Sequence, residues 1–196
     1  MPGQEHTSDP LVKPRAQAPL GVKSKPFEAQ YESSVTTDNK GSKDRAEGLL
    51  CRDSEGRTRM DYRLAGRENI TVISDSMDGT LLLLDNSTRY GRRISGQQNV
   101  IQQDKWAFAD CIPIYTEEYG VVNGVRCRRV LLKNAQTKGD LGETWLSEDL
   151  SVVMREVDRI GSVSREWHIK AIEFKEPDAA RFVAPTGYRL VTSDHQ

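Results

Sequence analysis

What most restricts this chain is a repeated alternation. Short runs carry apolar residues at every second position, and each run is closed by a polar turn. "FEAQYESSV" places Phe27, Ala29, Tyr31, Ser33 and Val35 on one side of an extended segment, as a half-buried strand requires. "DNKGSKD" follows as a turn, and "RAEGLLCRDSEGRTRMDYRLA" reads as two strands hinged at Asp53 to Gly56. The pattern runs on through "ENITVISDSMDGTLLLLDNSTRYGRRI", with corners at Asp78-Gly79 and Asn86-Ser87. In "VVNGVRCRRVLL" the corner is Asn123-Gly124, the strongest short hairpin signal available. "GETWLSEDL", "SVVMREVDR" and "SVSREWHIKAIEF" form a closing meander that turns at Gly161-Ser162.

One run, "ISDSMDGTLLLLD" at Ile73 to Asp85, imitates the phosphoryl-transfer signature of the haloacid-dehalogenase superfamily. That chemistry needs a nucleophilic Asp two residues before a second, acid/base Asp. Here Ser76 stands two residues before Asp78, and Asp75 is one position too far upstream to share its side of an extended chain. A polar turn follows the four leucines at once, leaving no space for the crossover of a parallel sheet. Asp78-Gly79 is therefore a hairpin corner. An EF-hand loop over the same residues lacks its acidic first ligand and both flanking helices.

Two stretches break the rhythm. "QNVIQQDKWAFADC" is either a short helix presenting Val100, Ile101 and Trp106 or a packed loop. Leu150, Val153, Met154, Val157 and Ile160 fall at helical spacing, but the β-branched pair Val152-Val153 and the flanking turns favour a strand over 150–160. Residues 1–26 hold five of the eight prolines and read as a flexible arm. Beyond them 27–192 reads as a single domain, with 193–196 as a tail. In "EPDAARFVAPTGYRLV" Pro177 begins a single helical turn and the remainder is extended, with Phe182 and Tyr188 as a core clamp.

Charged residues make up 29% of the chain, but the net charge is only -1 and the signs are interspersed, which excludes a nucleic-acid binder working through a broad basic face. Arg92-Arg93 and Arg126, Arg128, Arg129 read as solvated sides of strands. No apolar run approaches the ~18 residues of a transmembrane helix. Cys51, Cys111 and Cys127 are either one disulfide with a spare thiol or three buried thiols. The opening "MPGQEHTSDP" lacks the basic start and apolar stretch of a leader, so either the protein is cytoplasmic or a leader has been trimmed away.

Three segments, taken in order, resemble a group of uncharacterised secreted bacterial proteins related to the periplasmic lipoprotein-carrier (LolA-like) half-barrel. They are "CRDSEGRTRMDYRL", "ITVISDSMDGTLLLLDNSTR", and "GETWLSEDLSVVMREVDR" running on to "EFKEPDAARFVAPTGYRLV". The resemblance covers residues 27–192. It implies a mainly β (α+β) fold: a curled antiparallel sheet, or half-barrel, with one or two short helices packed on or in the open side. It also implies a periplasmic or secreted location. Cys51 where the group commonly has Tyr, and Ser76-Met77 where a Pro is frequent, leave that fold untouched.

No catalytic, metal or cofactor motif is present: no G-x-S-x-G, P-loop, H-E-x-x-H or dinucleotide fingerprint. His168 reads as a solvent-facing strand histidine, and Cys51 or Cys127 would need a nearby histidine to act as a nucleophile. The residues suited to line an apolar cavity are Leu82, Leu84, Trp145, Met154, Trp167 and Ile169. With the resemblance, they imply non-catalytic binding of a hydrophobic small molecule, a lipid or a lipoprotein's acyl chain, in the cell envelope. Two alternatives follow from the same fold: an envelope-stress sensor domain binding a membrane-associated protein, and an enzyme like the pigment-biosynthesis enzyme that uses this half-barrel.

Overall fold

The computed structural model describes residues 25–37, 43–64, 68–95 and 111–194. The first six strands are Phe27–Thr37 (β1), Lys43–Arg52 (β2), Thr58–Leu64 (β3), Glu68–Asp75 (β4), Thr80–Asp85 (β5) and Tyr90–Ser95 (β6). The next five are Cys111–Val122 (β7), Val125–Asn134 (β8), Asp140–Ser147 (β9), Val152–Ile160 (β10) and Val163–Glu173 (β11). A single 3₁₀ turn at Ala179–Phe182 precedes β12, Arg189–Asp194. The proline-rich arm, apart from Lys25 and Pro26, and the segment with Val100, Ile101 and Trp106 lie outside the described residues.

All twelve strands belong to one sheet, ordered β12-β6-β5-β4-β3-β2-β1-β11-β10-β9-β8-β7. It consists of two antiparallel meanders joined along β1 and β11, and it curls without closing into a barrel. Among the described strands, the one parallel pair is β12 on β6. The turns sit where the sequence places them: Asn123 and Gly124 have φ of 50° and 77°, the left-handed values a two-residue hairpin needs. Asp53 organises the β2–β3 corner from a buried position, accepting from the Arg57 amide at 2.8 Å and from its side chain at 2.6 Å. Residues 152–160 are a strand, as the β-branched pair argued.

Curvature can be read from a single contact. In a flat sheet β8 would lie ~14 Å from β11, three strand spacings away. Yet the side-chain amide of Asn123, at the β7–β8 tip, donates to the Ile169 carbonyl of β11. The hairpin therefore folds over the sheet face, and it brings Val125 and Cys127 into one buried cluster with Tyr31, Leu50, Met154 and Ile169.

The opposite face of β1–β5 has its own cover. Leu50 and Cys51 are adjacent on β2 and belong to different buried clusters, as alternation along a strand dictates. Cys51, Ile73, Leu82 and Leu84 are roofed by Phe182, with Ala184 and Tyr188 beside it. The segment after β11 is thus a strap across this face, ending as β12. Leu81 (4% exposed), Leu82 (6%) and Leu84 (0%) are all buried, so β5 is covered on both sides, as four consecutive leucines require.

Candidate functional site

Of the six residues with cavity-lining character, Trp145, Met154, Trp167 and Ile169 meet in the larger cluster, while Leu82 and Leu84 lie on the other face under the strap. Met154 and Ile169 are fully buried; Trp145 and Trp167 are half-buried at the cluster's margin. Trp167 stacks on Tyr31, with ring centroids 5.6 Å apart and planes 29° from parallel. Tyr31 is oriented by its hydroxyl, which donates to the Asp61 carbonyl at 2.7 Å. Burial first, then the nearby Tyr62 and Asp61, raise the Tyr31 phenol well above its ordinary range, so it stays a neutral donor. Gly48 makes room for that ring: a Cβ there would stand 2.4 Å from the hydroxyl oxygen.

Trp167 also packs against a second cluster of Val130, Leu146 and Val153, with Tyr115 at its edge. It therefore bridges two apolar regions. Its indole nitrogen is buried and has no hydrogen-bond partner. Buried indole N–H groups ordinarily find an acceptor, and an unpaired one costs about 1–3 kcal/mol.

Beside Trp167 lies a polar cluster that the sequence reading did not single out. Glu156 stands opposite Trp167 in the β10–β11 register, and Asp158 stands opposite Arg165. The Arg165 guanidinium reaches Glu156 at 2.5 Å and Asp158 at 2.5 Å, and its Nε donates to Asp158 at 2.9 Å. Burial raises the Glu156 carboxyl above the usual carboxylate range despite Arg165, and Asp158 raises it further. The available signal was the spacing of Glu156 and Asp158 two apart, matched by Arg165 and Trp167 two apart. It becomes legible only once 152–160 is known to be a strand.

The three cysteines are free thiols. Burial pushes the Cys51 thiol up to about 12 and the Cys127 thiol up to about 11, so neither is a poised nucleophile. The Cys111 thiol is also raised, by burial first and then by Glu156 and Asp158. Among the described residues, no group of three or more His, Cys, Asp or Glu side chains is placed to hold a metal ion, and no helix is long and apolar enough to cross a membrane.

No family model matches the chain, and no curated protein matches its sequence. Solved structures do match in shape. An uncharacterised conserved protein from Thermus thermophilus is 9% identical, with 84% of this chain and 91% of that one covered and a TM-score of 0.52. PNGF-II is 12% identical at a TM-score of 0.51 over 86% of this chain, which spans 31% of that protein. What they share with this chain is its fold. A LolA superfamily protein from Nitrosomonas europaea is also among the matches, 8% identical, covering 82% of this chain and 90% of its own, with a TM-score of 0.43.

Proposed function

We propose that this protein is a non-catalytic binding domain of the cell envelope that takes a hydrophobic ligand, an acyl chain of a lipid or lipoprotein, against Trp145, Met154, Trp167 and Ile169. The observation that carries the reading is the buried, unpartnered Trp167 N–H between two apolar clusters. An acyl chain would offer methylenes to the apolar side chains, at ~25 cal/mol per Å² buried, and a carbonyl oxygen to the indole. The curled open sheet and the resemblance of three sequence segments to the LolA-like group support the same reading, by analogy of fold.

The alternatives have less behind them. Of the sheet's two edges, β12 and β7, a peptide adding to the longer one would pair with β7, whose Ile112 and Ile114 are 40% and 42% exposed. That edge, however, carries Pro113, exposed Glu117 and Glu118, and a register break between Tyr115 and Tyr119, the devices that blunt a sheet edge. For an enzyme, the converging polar groups would be Glu156 and Asp158, and both are engaged by Arg165.

The test is native mass spectrometry of freshly purified protein, with lipid analysis of what is released, followed by Trp167→Phe. An acyl-bearing mass is expected. The Phe variant should still bind long alkanes, which carry no acceptor, but lose about fivefold in affinity for fatty acids, the share of one hydrogen bond. A clean apo mass, together with no uptake of added fatty acid, would end this reading.

A further inference from the structure

The tip of the β7–β8 hairpin is attached to the rest of the molecule in an unusual way. Pairing between β8 and β9 begins at Arg128–Leu146, so Val125 to Cys127 have no partner on the β9 side. Pairing between β7 and β8 breaks between Tyr115 and Tyr119 and resumes for only four pairs, from Tyr119–Arg128 to Val122–Val125. At the break, side chains replace the ladder: Thr116 donates to the Arg129 carbonyl at 2.8 Å, and Arg128 donates to the Thr116 carbonyl at 2.6 Å. Tyr119 to Cys127 is therefore a two-stranded arm bonded in the ladder only to itself and to the strands that lead into it. Two strands alone are at best marginally stable in water.

The arm has two faces. Val121 (72% exposed), Arg126 and Tyr119 point outward, and Arg126 stacks on the Tyr119 ring at 4.0 Å. Val122, Val125 and Cys127 pack on the cluster that contains Met154 and Ile169, and Gly120 lies flat against the Trp145 ring. At the tip, the Asn123 amide donates to the Ile169 carbonyl. That carbonyl lies one residue past the end of the β10–β11 ladder at Arg155–His168 and beside Lys170, which β11 skips in its pairing with β1. A second polar tie, Tyr119 to Glu148 at 3.2 Å, is exposed.

We propose that Tyr119 to Cys127 is a flap that gates the apolar interior. It swings at the β7 register break and is latched by Asn123 on Ile169. This rests on the binding reading above for what the gate admits, but the motion itself has its own readout. The Cys127 thiol rides on the flap's inner face at 1% exposure, and the Cys51 thiol is buried at 0% under the strap on the opposite face. If the flap lifts on its own, Cys127 reacts through local opening while Cys51 waits for wider unfolding.

The experiment uses the full chain with Cys111→Ser, so that two thiols remain, and measures labelling at one pH together with stopped-flow uptake of anthroyloxy-palmitate. Asn123→Asp and Asn123→Gly both keep a residue tolerant of positive φ at the turn while removing the amide donor. Cys127 should label at least tenfold faster than Cys51 in the parent chain, and about fivefold faster again in both variants, the factor of one hydrogen bond. Uptake and release of the probe should both quicken by a similar factor, leaving the affinity within about twofold. Equal labelling of Cys127 and Cys51 in all three proteins would overturn the flap, and so would probe kinetics that the variants leave unchanged. Fast, latch-dependent Cys127 labelling with no probe bound would keep the flap and remove the acyl ligand.

Discussion

The two meanders of the sheet are built to different standards. From β1 to β6 every ladder keeps a single register, from the β1–β2 pair to the β5–β6 pair, although β2–β3 skips Gly48 and Leu49 where the Tyr31 hydroxyl bonds the Asp61 carbonyl; the parallel β12–β6 pair runs unbroken. Each ladder that breaks register involves β7 to β11: β1–β11 at Gln30/Tyr31, β9–β10 at Val153/Arg155, β7–β8 at Tyr115/Tyr119 and β8–β9 at Leu132/Lys133. The regular half is backed by the strap, which is fastened by Arg181 to Glu28 at 3.1 Å, by Glu176 accepting from Ser54 at 3.1 Å, and by Tyr188 to Asn86. The irregular half has no such backing among the described residues; its cover is its own folded-over hairpin. Bulges bend strands and release carbonyls, and sites are often found beside them. Here they surround Met154, Trp167 and Ile169, the residues of the proposed ligand wall. One half is regular and strapped; the other is bulged and covered by its own hairpin.

That contrast can be broken most easily through the strap. Phe182→Ala is expected to cost ~3–5 kcal/mol in urea unfolding, because a buried aromatic leaves a cavity over Leu82, Leu84 and Ile73. Val122→Ala in the flap should cost under about 1 kcal/mol globally, since the flap opens below the global transition. Similar losses from the two would mean that both halves unfold as equals. Gly120→Ala comes next in size. Its Cβ would meet the Trp145 ring at 2.6 Å, an overpacking of about 1–3 kcal/mol if the flap were rigid. A flap that yields should hold the loss near the lower figure and shift Trp145 emission to the red; a larger loss with unshifted emission would argue for a rigid arm.

The smallest effect concerns pH. The raised Glu156 carboxyl means that the folded chain holds that proton more tightly than the unfolded one. Its contribution to stability is complete below the unfolded pKa, ~4.3, and is lost as pH rises through the folded value. The facing groups are Asp158, Arg165 and, more distantly, Cys111. Glu156→Gln removes this titration, so its stability relative to the parent chain should improve from pH ~4 to ~7. A constant offset in denaturant midpoint across that range would show that Glu156 ionises as freely in the fold as in the unfolded chain.

Much of the architecture was legible because it is local. Period-two runs and corners such as Asp53 to Gly56, Asp78-Gly79 and Asn123-Gly124 depend on residues within a few positions of one another, and the structure places strands and turns there. The ambiguous 150–160 was hard to read because β10 is bulged: Val153 pairs with Leu146 but Arg155 pairs with Trp145, so Met154 disrupts the alternation and imitates helical spacing. The candidate wall was legible in part. Trp145, Met154, Trp167 and Ile169 converge, but Leu82 and Leu84, equally apolar, serve the strap, because nothing local says which face of a sheet its C-terminal segment will cross.

The sequence by itself determined that this chain is a run of hairpins with apolar sides to bury, since turn chemistry and alternation act over short distances. Only the tertiary structure decided that the sheet curls, that the hairpin turning at Asn123 lies over Ile169, and that the Trp167 indole N–H is buried without an acceptor. Those outcomes depend on where four ladders slip register and on contacts between residues dozens of positions apart, and no periodicity in the chain records them.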